Sequence, residues 1–307
     1  MTLQTPLRLG TRGSRLALVQ ATMVCDALAA RGIGCDLVPV KTTGDRIQDR
    51  PLAEAGGKGL FTKELEEALL DQRIDLAVHS MKDVPVALPS GLAIAAVLPR
   101  EDARDAFVSN RFASLAELPR GARVGTSSVR RQALVARARP DTEIVLLRGN
   151  VDTRLAKLDA GAFDAIIVAY AGLKRLQRSE RATALLEFEE WLPALSQGAI
   201  GIEVRSGDAR TESISALNDA ATGVAVGCER AFQAALDGSC YTPMGGFATF
   251  AQGRLRFRGE VLAPDGSDAA EAAFERVLGS DPEAEAAELG RAAGLALKPR
   301  AAPWLAR

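Results

Sequence analysis

Short apolar segments recur along the chain, each closed by a polar or glycine-containing turn and followed by a helical stretch. Leu7 to Leu9 leads into Gly10-Thr11-Arg12-Gly13-Ser14 and the amphipathic run Leu16 to Ala29. Ile74 to Val78, Leu92 to Leu98, Arg123 to Gly125, Ile144 to Leu147, Ala165 to Ala169 and Ala199 to Val204 read as further strands, and Cys35 to Val40 alternates like one. Strands alternating with helices favour parallel sheets, because a parallel pair needs a long crossover. Thr62 is placed to cap the helix carrying Leu65, Leu69 and Leu70, Thr126-Ser127-Ser128 the helix from Val129, and Asp152 the helix that Gly161 ends. From about residue 217 the pattern changes. Ala220 to Leu236 reads as a helix, Arg254 to Leu262 as a strand, Ala269 to Val277 as a strand or helix, and Pro282 to Leu297 as a helix. The expectation is an α/β chain with a smaller α+β domain at its end.

Composition limits the partners. With 47% hydrophobic and 25% charged residues, the chain has globular proportions. The net charge of −1 lacks the basic excess of a nucleic-acid binder. No apolar run is long enough to span a bilayer, and no secretory signal is evident, so the cytoplasm is expected. Only one histidine, His79, accompanies Cys25, Cys35, Cys228 and Cys240, which argues against a Cys/His metal site. In a reducing compartment these thiols stay free. Cys25, Cys35 and Cys228 fit strand or helix patterns as small apolar groups, and His79 reads as a core or strand-end histidine. Cys240 differs: it lies in the loop Asp237-Gly238-Ser239-Cys240, where a thiol is exposed enough to react.

Ligands of open α/β sheets bind beyond the carboxyl ends of the strands. In this chain those ends carry Arg12 and Ser14; Lys82 and Asp83; Ser127, Ser128, Arg130 and Arg131; Arg148 and Arg154; and Lys174 and Arg175. Converging, they make a positive cleft for a polyanion, either phosphate or carboxylate. Asp83 inside such a cleft suits a ligand that is anionic at its edges and cationic or N–H-bearing at its centre. Ala55-Gly56-Gly57-Lys58-Gly59 lacks the earlier glycine and the later hydroxyl of a phosphate-binding loop, so it reads as a flexible loop.

Several segments together resemble the porphobilinogen deaminase family. They are Thr11 to Ser14, Gly57 to Glu66, His79 to Pro85, Arg104 to Ser109, Gly125 to Gln132, Leu147 to Val151 with Thr153 to Leu155, Ala171 to Arg175, Gln197 to Glu203 and Leu236 to Cys240. The resemblance implies two periplasmic-binding-protein-like domains, with mixed, mainly parallel sheets, and a small C-terminal α+β domain. Residues 1–98 with 197–216 would form the first, 99–196 the second and 217–307 the third. It implies a monomer that condenses four porphobilinogen molecules head to tail with release of ammonia. The product is linear hydroxymethylbilane, passed on to uroporphyrinogen-III synthase. The implied primer is a dipyrromethane on Cys240. Asp83 would act catalytically. Ser80, Lys82, Asp83, Thr126, Ser127, Ser128, Arg130, Arg131 and Arg154 would hold the primer, and Arg12, Ser14, Phe61, Arg148, Arg154, Arg175, Gln197 and Gly198 the substrate, with Lys58 on a guarding loop. The chain departs from the pattern at Arg15 (a frequent Pro), Glu54 (Lys in some members), Asp152 (small or neutral elsewhere), and Ser196 and Ser239 (commonly Gly). A non-catalytic anion carrier of the periplasmic type, or the effector module of a transcription regulator, would share the two-domain plan.

Overall fold

The computed structural model describes residues 5–46, 59–238 and 242–305. Among these, two five-stranded sheets share one plan. The first runs in the order β2 (Cys35–Val40), β1 (Leu7–Arg12), β3 (Leu76–Ser80), β10 (Ile200–Arg205), β4 (Leu92–Val97). The second runs β7 (Glu143–Leu146), β6 (Arg123–Thr126), β8 (Ala165–Ala169), β5 (Asp105–Val108), β9 (Ala184–Leu186). In each sheet four strands point one way and a single strand opposes them: β10 in the first, β5 in the second. The sheets are therefore mixed but mainly parallel, as expected. The reversed strand is the one the chain enters on crossing from the other sheet, after Val97 into β5 and after Leu186 into β10.

Helices cover the sheets. Helix α1 (Arg15–Ala29) begins at Ser14, whose hydroxyl accepts the Ala17 N–H, and buries Ala21, Val24 and Leu28 against Leu9, Leu76 and Ile202. Helices α2 (Thr43–Arg46) and α3 (Lys63–Leu70) follow, and Leu65 and Leu69 of α3 pack with Ile74 on the other face. In the second sheet α4 (Val129–Ala138), α5 (Val151–Asp159) and the short α6 (Tyr170–Arg175) cover Phe107, Val124 and Ile166. A short α7 (Thr211–Ser215) leads to α8 (Ala220–Ala235), a meander of β11 (Met244–Ala251), β12 (Arg254–Leu262) and β13 (Ala269–Val277), and α9 (Pro282–Ala301). Helices α8 and α9 pack on this third sheet around Phe232 and Phe257, whose rings meet edge to face at 5.0 Å. Gly290 allows the close approach of the two helices: a Cβ there would lie 2.2 Å from the Cys228 carbonyl oxygen.

Several expectations are corrected. Cys25 and Cys35 are joined as a disulfide, Cα–Cα 5.5 Å, because α1 folds back over the start of β2. Each thiol had been read from its own neighbours, which do not reveal that contact. Asp152 does not cap α5; the Asn150 side chain accepts the Thr153 N–H, and Asp152 sits in the first turn. Thr62 holds the cap position of α3 without a side-chain capping bond. Ala269 to Val277 is a strand, and β5, β9 and β11 had no counterpart in the sequence reading.

Where the third domain meets α4, Glu260 of β12 is 5% exposed, with Arg137 3.6 Å away. Burial pushes its carboxyl up to about 7, against the pull of Arg130 and Arg137. A carboxyl raised on folding costs no stability below its unfolded pKa and costs most above its folded one. Glu260→Gln is therefore expected to raise stability at pH 8, by up to about 3 kcal/mol, with the gain vanishing near pH 4.5. Chemical denaturation at the two pH values checks this.

Candidate active site

The ends of the strands meet at one cavity of about 610 Å³ between the two sheets, and its wall includes residues of the third domain. The carboxyl ends of β1, β3, β6 and β8 deliver Arg12, Ser80, Ser127 and Ala169 to it. The reversed strands deliver the opposite end: Gln197, Gly198 and Ala199 precede β10, and Asp105 opens β5 just behind the wall.

Of the residues singled out in the sequence, Arg12, Ser14, Phe61, Ser80, Lys82, Asp83, Ser127, Ser128, Arg130, Arg131, Arg148, Arg154, Arg175, Gln197 and Gly198 line this cavity. Thr126 does not; it is 1% exposed and its hydroxyl accepts the Ser128 N–H. Lys174 turns away to Glu101 at 2.5 Å. Lys58 and Cys240 fall outside the described residues. Buried His79 bonds Glu203 at 2.9 Å and takes no part in the wall.

The cations are individually held. Arg12 lies 4.0 Å over the Phe61 ring, forks onto Asp45 at 2.5 Å and approaches Asp83 at 3.9 Å. Burial would raise the Asp45 carboxyl, but the bonds from Arg12 outweigh it and hold it low. Arg154 bonds the Gly149 carbonyl at 2.9 Å, and burial, with Arg131 and Arg148 near, pushes it down to about 10. Arg175 bonds the Gly198 carbonyl at 2.6 Å, and burial brings it down to about 10. Burial, then Arg131, pushes Lys82 down to about 8. Burial is the main cause of the lowered basicity in all three, and an anion in the cavity would favour their charged forms. Two acids line this space: Asp45, held by the Arg12 fork, and Asp83, its side chain 33% exposed and 3.9 Å from Arg12.

Behind the wall lies what the sequence reading missed. Asp105, fully buried, accepts from Arg130 (2.7 Å), Arg131 (2.7 and 3.1 Å), Gln197 (2.8 Å) and Trp191 (2.9 Å). Burial opposes ionisation, but the two guanidiniums hold its carboxyl far below the usual range. Arg130 also donates to the Leu192 carbonyl at 2.7 Å, so it braces the wall more than it faces the cleft. The signal available was a lone acid opening a strand that is otherwise apolar. At the hinge, Arg100 forks onto buried Glu229 of α8 (2.6 and 3.1 Å) and donates to the Gln197 carbonyl at 2.8 Å. Gly198 has φ +89° and no room for a Cβ, which would fall 2.3 Å from the Glu101 carbonyl oxygen.

A cleft between two lobes, lined with many cations and two acids, has the chemistry of a site for a polycarboxylate or a comparable polyanion. Comparison with known proteins gives the family. Residues 7–213 match the model described as porphobilinogen deaminase, dipyromethane cofactor binding domain, and 224–299 the porphobilinogen deaminase C-terminal domain. The chain is 54% identical to the porphobilinogen deaminase of Paracoccus denitrificans, over 94% of this chain and 92% of that one. It is 52% identical to that of Nitrobacter hamburgensis, over 95% and 93%. The chain belongs to the porphobilinogen deaminase family. Among solved structures, a periplasmic substrate-binding protein of an ABC transporter from Coxiella burnetii is 14% identical, with a TM-score of 0.44 over 69% of this chain and 91% of that one.

Arg154→Leu removes one buried cation of the cleft. Affinity for citrate, as a carboxylate probe, is expected to fall about tenfold or more, as for losing a charge-assisted bond. Arg123→Leu, whose side chain is 48% exposed at the far end of β6, should leave it unchanged. Calorimetric titration compares the two.

Proposed function

We propose that this chain is a transferase that condenses four porphobilinogen molecules head to tail on a dipyrromethane primer, releasing ammonia and yielding linear hydroxymethylbilane. The observation that carries the reading is the charge pattern of the cavity: Arg12, Lys82, Arg131, Arg148, Arg154 and Arg175 share its wall with two acids, of which Asp45 is gripped by Arg12 at 2.5 Å and Asp83 is approached by Arg12 only to 3.9 Å. Porphobilinogen and the primer carry carboxylates at their edges and pyrrole N–H groups at their centres, which matches that arrangement.

The primer's residues fit on the same ground. Its carboxylates need cations, and Lys82, Arg154 and Arg175 are cations whose basicity burial lowers, so a bound carboxylate would favour their charged forms. Cys240 is the proposed attachment point. Supporting this, Gln233 and Thr242, which flank residues 239–241, both line the cavity. When bound, the dipyrromethane supplies the free pyrrole carbon to which the next unit joins. Ser80, Ser127 and Ser128 add hydrogen bonds, and Phe61 offers a ring face already shared with Arg12; Lys58, outside the described residues, has the proposed role of guarding the cleft.

Asp83 has the task that the cations cannot perform. When the C–N bond of porphobilinogen breaks, the electron pair leaves with ammonia and the remaining methylene-pyrrole is positive. A carboxylate beside the pyrrole N–H stabilises that charge, which arginines would oppose. The same carboxylate is proposed to assist the later proton loss from the ring. A purely anion-binding role leaves Asp83 unexplained, since an acid weakens binding of anions. The reading includes domain limits at 1–98 with 197–216, 99–196 and 217–307, a monomer in the cytoplasm, and delivery of product to uroporphyrinogen-III synthase.

Intact mass of the denatured protein tests the primer. Wild type is expected to exceed the bare chain by two porphobilinogen units less two ammonia molecules, and Cys240→Ser to match the bare chain. A bare wild type that gains no adduct on incubation with porphobilinogen would overturn the reading. Asp83→Ala is expected to keep the fold and lose about 100- to 1,000-fold in turnover. Product formation near the wild-type rate would remove Asp83 from the chemistry.

A further inference from the structure

Lys82 and Arg131 come from different lobes, yet both donate to one oxygen. The Gln197 Oε1 accepts from Lys82 Nζ at 3.1 Å and from Arg131 Nη2 at 3.4 Å. The Gln197 amide nitrogen is committed behind it, to the Ala103 carbonyl and to Asp105 Oδ1, each at 2.8 Å. Gln197 and Asp105 are both fully buried. The amide cannot flip without turning its N–H groups on two cations and its oxygen on a carboxylate and a carbonyl. Gln197 lies on the second crossover, and Asp105 opens the strand that follows the first.

We infer that Asp105 and Gln197 are positioning residues, which hold a cation from each lobe on one neutral acceptor at the hinge and so keep both aimed at an incoming carboxylate. This rests on the proposed function and deepens it. The neutrality of Gln197 is the key property. An amide oxygen orients two cations without cancelling their charge, and a ligand carboxylate outcompetes it for the same donors. Asp105 supplies the counter-charge, one step back, that allows three cations to lie close together. A hydrophobic set of equal volume would hold the fold as well, because burying ions brings little net stability. The arrangement is therefore better explained by what it presents to the cleft.

The charged groups facing Lys82 are Asp83 beside it, Arg130 and Arg131 from α4, and Asp105 from β5; Arg154 of α5 shares the cavity. Asp105 favours the charged amine and the two arginines oppose it. Two nearly isosteric changes thus have opposite signs. Asp105→Asn deletes an anion, so the Lys82 midpoint is expected to fall. Gln197→Glu adds an anion at the shared acceptor, so the midpoint is expected to rise. Each shift should be on the order of one pH unit.

The test uses the purified full-length chain. Peptide mass spectrometry follows the pH dependence of Lys82 acylation by a small reagent, and intact mass gives the fraction carrying the primer. Opposite shifts of the Lys82 midpoint, with primer loading reduced several-fold in both variants, are the expected result. General damage to the structure would lower loading without moving the midpoint in opposite directions. If Asp105→Asn does not fold, Gln197→Glu decides alone: a raised midpoint with poor loading supports the inference, and an unmoved midpoint or full loading overturns it. Failure of the functional reading looks different, as a wild type that never acquires the primer mass while its Lys82 midpoint remains measurable.

Discussion

A carboxylate with no access to water anchors the cationic side of this molecule. Asp105 takes five N–H donors from Arg130, Arg131, Gln197 and Trp191. Without it, two adjacent guanidiniums on the first turn of α4 would lie buried and unopposed, and several kcal/mol of desolvation would drive them outward. With it, the end of β6 carries concentrated positive charge beside a cavity, although the whole chain sums to −1. The excess is local, made by directing acids to the back of the wall and cations to its face.

The same logic fixes the hinge. Both crossovers pass the start of the reversed strands, and a second buried acid, Glu229, fastens them to the third domain. It grips Arg100 of the first crossover and accepts N–H groups from Ser196 of the second and Ala248 of β11. Ser196 adopts φ +62°, a conformation that costs a non-glycine residue about 1 kcal/mol or more. The bond from its N–H to Glu229 helps hold it there. One helix, α8, thus touches both crossovers and also contributes Gln233 to the cavity wall.

Much of this was legible in the sequence because parallel sheets place function at predictable points. Arg12, Lys82, Ser128, Arg148 and Arg175 follow strands or strand-end turns, and all reached the cavity. The search rule also explains the omissions. Looking beyond carboxyl ends cannot find Asp105, which reaches the wall from the amino end of the strand that runs backwards in its sheet. The strand itself, only four residues long, was too short to show a period. Asp45 was hidden for another reason, since its role depends on Arg12, distant in sequence. The disulfide between Cys25 and Cys35 shows the same limit: a helix and the strand after it each looked complete alone, and their contact belongs to the tertiary fold.

Two departures from the family pattern turn out to face each other. Arg15, at the start of α1 in the first lobe, lies 3.6 Å from Asp152, in the first turn of α5 in the second. Their side chains are 59% and 37% exposed, so water and salt screen the pair, and such contacts contribute about 0–1 kcal/mol. That is too little to hold a cleft shut against a ligand bound by several charge-assisted bonds. It marks where the rims of the two lobes touch, while Lys82 and Arg131 converge on Gln197 deeper in the cleft. The buried acids Asp105 and Glu229 bind the residues around both crossovers, and the exposed Arg15–Asp152 pair adds one weak contact between α1 and α5.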